Sequence, residues 1–264
     1  MYEFEHHKPA SVTDAASAMK GADDGKLLAG GQTMIPTLKQ RLASPSDLVD
    51  LGGIAELKGI TVSGGTITIG AMTTHAAVAA SADIKSALPA LAELADHIGD
   101  AQVRNRGTIG GSVANNDPAA DYPAACLALG ATIHTSQRDI PADDFFTGLF
   151  ETALEDDEII TKISFPVASK AAYVKFPNPA SRYALVGVFV ADGPAGIRVA
   201  VTGAGQDGVF RVPEMESALS GSFSADAIAD VKVSADDLNA DIHASADYRA
   251  HLITVMAKRA VAKI

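Results

Sequence analysis

Leu28-Ala29-Gly30-Gly31-Gln32-Thr33 and Arg106-Gly107-Thr108-Ile109-Gly110-Gly111-Ser112 are the two stretches whose reading decides the fold. Each follows an apolar run or a helix end and leads into a new structured segment. Paired glycines let backbone N–H groups converge on an anion without Cβ obstruction, and a helix start just beyond adds partial positive charge. Only one lysine, Lys26, lies close to them in sequence. The pair therefore points to a cofactor whose diphosphate is held mostly by main chain. Taken alone, the first turn also reads as an ordinary glycine-rich connection. The second says more, because it joins Arg104-Asn105-Arg106, Asn115-Asn116 and Asp117-Pro118-Ala119-Ala120-Asp121. The hydroxyls of Thr108 and Ser112 suit phosphate oxygens, and Asp121 suits a ribose hydroxyl pair.

Around the first turn the pattern is a small βαβ unit. Ser11 is placed to cap a helix that carries Asp14 in its first turn and stops at Gly21. Lys26–Ala29 reads as a short buried strand. Met34, Ile35, Leu38 and Leu42 then recur at helical spacing across Thr33–Leu42, and Leu48–Leu51 is a second strand. A hairpin follows over Gly59–Gly70, turning at Gly64-Gly65. The pattern next predicts a helix over Leu88–Ile98, a short helix around Pro123–Leu129, a strand over Ala131–Thr135 and another over Ile159–Phe165. Acidic Glu155-Asp156-Asp157-Glu158 reads as a solvated turn.

Pro166–Lys170 marks a domain boundary. Beyond it, Tyr173–Phe176, Tyr183–Ala191 and Gly196–Thr202 read as antiparallel strands, with helices at Met215–Leu219, Ala225–Val231 and Asp247–Lys263. The expected architecture is α+β: two small α/β lobes, residues 1–56 and 57–170, followed by a sheet-and-helix domain over 171–264.

The composition narrows the function. At 264 residues there is ample core, and 47% hydrophobic with 20% charged residues is ordinary for a globular chain. A net charge of −11 argues against a broad nucleic-acid footprint. No apolar run approaches the ~20 residues of a membrane span, and the start Met1-Tyr2-Glu3-Phe4-Glu5 has no secretory pattern. The chain reads as cytoplasmic. Its one cysteine, Cys126, excludes an internal disulfide framework, cannot alone ligate an iron–sulfur cluster, and reads as a small core hydrophobe. Gly203-Ala204-Gly205-Gln206-Asp207-Gly208 fits the dinucleotide pattern but leads into Val209-Phe210-Arg211-Val212-Pro213, a strand rather than a helix, so it reads as a hairpin or loop. The seven histidines show no metal-ligand spacing, helical His97 reads as structural, and no catalytic dyad or triad declares itself.

The two turns, together with Val113-Ala114-Asn115 and Asp117–Asp121, resemble the FAD-binding medium subunit of the molybdenum hydroxylases, the carbon monoxide dehydrogenase and xanthine dehydrogenase family. The resemblance continues through Glu158-Ile159-Ile160, Phe165-Pro166, Lys175 and Tyr183-Ala184. It ends at Ser245-Ala246-Asp247-Tyr248-Arg249 and Lys258-Arg259-Ala260, so it spans the chain. It implies that Leu27, Leu28, Ala29, Gly30, Gly31, Gln32, Thr33 and Met34 wrap the FAD pyrophosphate, with Thr108, Ile109, Gly110, Gly111 and Ser112 as the second wall. It implies Asp121 as the ribose-side acid, Ile98 and Ile160 as contacts near the cofactor, and Lys175 as a basic residue near the flavin. Tyr183 would cover one isoalloxazine face. Arg182 departs from the Asp that relatives often carry there, and Phe176-Pro177-Asn178-Pro179 replaces a more basic segment.

The implied activity is an oxidoreductase. Electrons would pass from a molybdenum–pterin large subunit, through the 2Fe–2S clusters of a small subunit, to FAD in this chain and on to an external acceptor. The assembly would be a dimer of heterotrimers. A self-contained FAD-dependent oxidoreductase and a non-catalytic assembly protein of the same fold are the alternatives.

Overall fold

In the computed structural model, which describes residues 1–264, the first helix runs Val12–Gly21, and the Ser11 hydroxyl oxygen accepts the Asp14 amide at its start. The βαβ unit follows as the glycine turn demands. Strand Gly25–Leu28 leads through the turn into helix Met34–Lys39, and strand Asp47–Asp50 returns parallel to it. The helix is shorter than its apolar spacing predicts. Arg41 takes a left-handed φ of 59°, which ends it, and leaves Leu42 74% exposed. A third strand, Glu5–His7, completes this sheet by pairing parallel with Asp47–Asp50. Its three polar residues carry no apolar run by which the sequence could have marked it.

The second sheet is antiparallel. Its order is Ile60–Ser63, Thr66–Gly70, Ile160–Pro166, Thr132–Thr135, Asp139–Pro141. The Gly64-Gly65 hairpin falls where expected, both glycines having positive φ. Register places Ile69 and Ile133 opposite Ile163, and Ile67 opposite Phe165, so one face of the sheet is a continuous buried layer. Four short helices connect this sheet to the second glycine turn: His75–Ala80, Ala82–Ala87, Pro89–Asp96 and Ala101–Arg106. Only the third was legible in the spacing of apolar residues.

The third sheet is an antiparallel meander of Lys170–Pro177, Ala184–Gly193, Gly196–Gly205 and Gly208–Arg211. It is covered on both faces. Helices Pro213–Gly221 and Ala246–Lys263 pack on Val186, Val188, Val190, Val199 and Val201. Tyr173, Phe189, Ala191 and Ala200 instead join the core of the second sheet, together with helix Tyr122–Leu129. That helix is buried at every residue, which suits its apolar composition all round. A smaller core links Val49, Leu51 and Ile54 of the first unit to Met72 and Ile159 of the second. Apolar packing thus runs across both expected divides. No helix is long and apolar enough to cross a membrane.

The dinucleotide-like glycines form a hairpin: Gly205 pairs with Gly208 across Gln206-Asp207. The helix expected at Ala225–Val231 is instead a run of turns with i to i+3 bonds, Ala227 N to Ser224 O at 3.2 Å and Ala229 N to Asp226 O at 3.2 Å. Ile228 is its one fully buried residue, so no apolar stripe holds a continuous helix there.

Arg249 pins the last helix to the sheet. It is 3% exposed, and its guanidinium donates to Leu185 O at 2.7 Å, Gly203 O at 3.0 Å and Asp241 Oδ2 at 2.7 Å. Replacing it by alanine strands two buried carbonyls. Arg249→Ala is expected to lower unfolding free energy by roughly 3 kcal/mol, about what two buried charge-assisted bonds contribute, read as a lower urea midpoint at unchanged slope.

Candidate cofactor-binding site

The two glycine turns meet. A Cβ built on Gly30 would stand 2.2 Å from the Arg106 carbonyl oxygen and 2.7 Å from Gly107 Cα, so only glycine permits this approach. A Cβ on Gly111 would lie 3.2 Å from the Ala29 side chain. Gly31 takes φ +73°, a region L-residues with side chains rarely adopt. Together the turns close one side of a cavity of about 400 Å³, within the range of cofactor sites.

Their backbone amides differ in kind. Those of Ala29, Gly30, Gly31, Gln32 and Thr33 find no acceptor in the protein, and all five residues line the cavity. Ala29, Gly30 and Gly31 are half-buried, where unpaired amides are costly, and with exposed Gln32 and Thr33 they offer a run of donors suited to an anion. In the second turn the Thr108 amide has no acceptor, but those after it are bonded. Ile109 donates to Thr73 O at 3.1 Å, Gly110 to Ala71 O at 2.8 Å, Ser112 to Thr108 O at 3.0 Å, and Gly111 to Thr108 Oγ1 at 3.2 Å. The Thr108 hydroxyl caps helix Ile109–Asn115. The first turn therefore supplies most of the free donors, and the second adds the Thr108 amide and much of the wall's shape.

The cavity gathers Leu27, Ala29, Gly30, Gly31, Gln32, Thr33 and Met34 with Thr108, Gly110, Gly111 and Ser112, and further along Ile98, Asp121, Ile160, Lys175 and Tyr183. Leu28 and Ile109 stand outside it, the first in its strand and the second fully buried beneath the turn. Tyr183 sits at the rim, 51% exposed. Buried Asn178 shapes the loop that presents it: the Asn178 side-chain oxygen accepts the amides of Ala180 at 2.9 Å and Ser181 at 3.2 Å, and its own amide donates to Tyr183 O at 2.8 Å. Arg182, in the same loop and also in the lining, has φ 63°. Asp and Asn favour that region, which accounts for the Asp the resemblance places there.

Asp121 is 4% exposed and ion-paired with Lys175. Burial pushes its carboxyl up, opposed by the Lys175 ammonium and the Tyr173 hydroxyl. Glu158, expected in a solvated turn, is instead 2% exposed and lines the cavity. Arg138 reaches it from the neighbouring strand connection, its Nε donating at 3.1 Å, and Thr135 donates at 2.6 Å. Burial raises the Glu158 carboxyl, but these bonds and the Glu155 amide outweigh it and hold it below its ordinary value. The sequence hid this because Arg138 sits twenty residues away in a separate turn.

His75 is another lining residue that the pattern did not single out. It is 4% exposed and its Nδ1 has no partner. A Cβ on Gly107 would come within 2.5 Å of its Nε2, so the imidazole is wedged under the second turn. Cys126 is buried, and burial raises its thiol pKa, as a core role requires.

Comparison with known proteins agrees with this geometry. Residues 2–168 match the family described as the FAD binding domain in molybdopterin dehydrogenase. The chain is 35% identical to the carbon monoxide dehydrogenase medium chain of Hydrogenophaga pseudoflava, over 98% of this chain and 96% of that one. It is also 35% identical to the nicotine 6-hydroxylase medium subunit of Paenarthrobacter nicotinovorans, with the same coverage. Among solved structures it is similar to reconstituted CO dehydrogenase from Oligotropha carboxidovorans, with TM-score 0.90 and 33% identity over 98% of this chain and 96% of that one.

Burial, with a smaller contribution from the Arg104 charge, pushes His75 from 6.5 down to about 4. The unfolded chain then binds a proton that the folded chain refuses between those values, so stability falls as pH drops through that window. His75→Gln is expected to remove roughly 3 kcal/mol of the stability lost between about pH 7 and pH 4, read by urea unfolding of both proteins at several pH values.

Proposed function

The chain belongs to the FAD-binding family of molybdopterin dehydrogenases, and on that premise we propose that its cavity carries FAD as the medium subunit of a molybdenum-dependent oxidoreductase complex. The observation that carries this reading is the run of five unpaired amides over Ala29–Thr33, held against the second turn by the Gly30 contact. Amides converging from a glycine turn bind a diphosphate without needing cationic side chains.

Roles follow from position. The first turn grips the pyrophosphate, and the glycines of the second leave room for it beside Thr108 and Ser112. Ile98 and Ile160 give the cavity an apolar stretch. Tyr183, an aromatic on a loop braced by Asn178, shields one face of the ring system while the rim stays open. When bound, FAD supplies the capacity to exchange electrons between a partner's redox centres and an external acceptor. This chain's own residues hold and orient it.

The partners are a molybdenum–pterin large subunit and an iron–sulfur small subunit, in a dimer of heterotrimers. A single buried cysteine supports placing every cluster outside this chain. The relatives' names run from carbon monoxide to nicotine to caffeine at similar chain coverage, which supports placing substrate choice in the large subunit.

The test is flavin content. Wild-type chain, co-produced with the products of its neighbouring genes, is expected to purify with bound FAD. Gly30→Val drives a side chain into the Arg106 carbonyl and should reduce FAD affinity at least about tenfold, or 1.4 kcal/mol, while circular dichroism stays native. A folded Gly30→Val protein with full flavin content would overturn the assignment.

A further inference from the structure

His75 is buried at the start of its short helix, beneath the place where the two turns meet. Its amide donates to the Gly107 carbonyl at 3.0 Å, and the neighbouring Thr74 bridges to Thr108, so its backbone is bolted to the second turn. The Tyr122 ring packs against the imidazole, with ring centroids 5.4 Å apart. Held this way, the side chain finds no hydrogen-bonding group of the protein. Nδ1 is sealed off altogether, whereas Nε2 is not. Nε2 lies on the edge of the ring that runs under Gly107, and both residues line the cavity.

A buried polar side chain that the fold leaves without a partner lowers stability and needs a reason. Burial and the Arg104 charge keep the imidazole neutral, so it carries a single N–H. An N–H shut away without an acceptor costs more than a bare lone pair. That places the proton on Nε2 rather than on sealed Nδ1. Next to Gly107, the Thr108 amide also has no acceptor. Two free donors thus flank Gly107, the residue against which Gly30 brings the unpaired amides of the first turn.

Resting on the flavin reading above, we propose that His75 is a further cofactor-binding residue: its Nε2–H donates to an oxygen of the diphosphate from the floor of the cavity, beside the Thr108 amide. The anion is then met from two sides, by the run of amides over Ala29–Thr33 and by this pair from the second turn. A neutral donor does so without the desolvation penalty of a buried cation.

The full chain is stripped of flavin, and FAD is titrated back into wild type, His75→Leu and His75→Gln while flavin fluorescence is followed. His75→Leu removes the donor and the unpartnered nitrogen together. It is expected to unfold in urea at or above the wild-type midpoint at neutral pH, yet to bind FAD at least about tenfold more weakly, as loss of a hydrogen bond to a charged group requires. His75→Gln restores a side-chain donor and should return to within about threefold of wild type. A retained fold with a weakened cofactor separates a ligand from a packing residue. Wild-type chain with isotope-labelled histidine is also followed by nitrogen NMR, where added ADP should move the His75 Nε2 resonance; this readout stands even if His75→Leu does not fold. Folded His75→Leu with unchanged FAD affinity, His75→Gln as weak as His75→Leu, or an Nε2 resonance that ADP leaves in place would each overturn the proposal. A wild-type chain that takes up neither FAD nor ADP would instead overturn the cofactor reading on which it stands.

Discussion

Everything about the cavity depends on one contact between backbones, Gly30 pressed against Arg106 and Gly107. Two chain segments more than seventy residues apart touch there with no side chain between them. Such closeness has to be enforced from both sides. The first turn is held by the parallel pairing of Gly25–Leu28 with Asp47–Asp50. The second is held by the bonds its amides make to Ala71 and Thr73 and by His75 wedged beneath it. The small core of Val49, Leu51, Ile54, Met72 and Ile159 ties the two supports together.

From that contact comes a division of labour. A helix start normally offers its free amides to whatever lies ahead of it, yet helix Ile109–Asn115 gives two of them to the chain at Ala71–Thr73 and is capped by Thr108. Burying that helix start is what aligns it, and the alignment uses up its donors. The strand-to-helix turn at Gly30-Gly31 packs on Arg106 and Gly107 without giving its amides to them, which makes this the end of the cavity where an anion is best held.

Much of this was legible in the sequence because it is local chemistry. Ser11, the Gly64-Gly65 turn and the alternation of Ile67, Ile69, Ile163 and Phe165 each announce their structure within a few residues. The strand after Gly208 likewise separated a hairpin from a dinucleotide fingerprint. What escaped is what depends on distant partners. Glu158 looks like one of four solvated acids until Arg138 and Thr135 arrive beside it. Asp121 looks unpaired until Lys175, 54 residues on, reaches its carboxylate. His75 looks like any histidine at the start of a short alanine-rich helix. Which amides are free cannot be read from glycine pairs at all, since both turns carry one and the first keeps more of its donors. Ala225–Val231 failed for the converse reason: its residues suit a helix, but only Ile228 is fully buried, with Val231 partly buried beside the same core.

The segment matched by the FAD-binding family ends at Ala168, but the packing does not. Tyr173, Phe189, Ala191 and Ala200 complete the same apolar mass as helix Tyr122–Leu129, and Lys175 crosses back to Asp121. A gene fragment encoding only the matched stretch would leave a sheet-sized oily scar and an orphaned acid at the cavity wall. The cavity itself therefore reaches past the matched stretch, since Lys175 and Tyr183 line it from beyond Ala168.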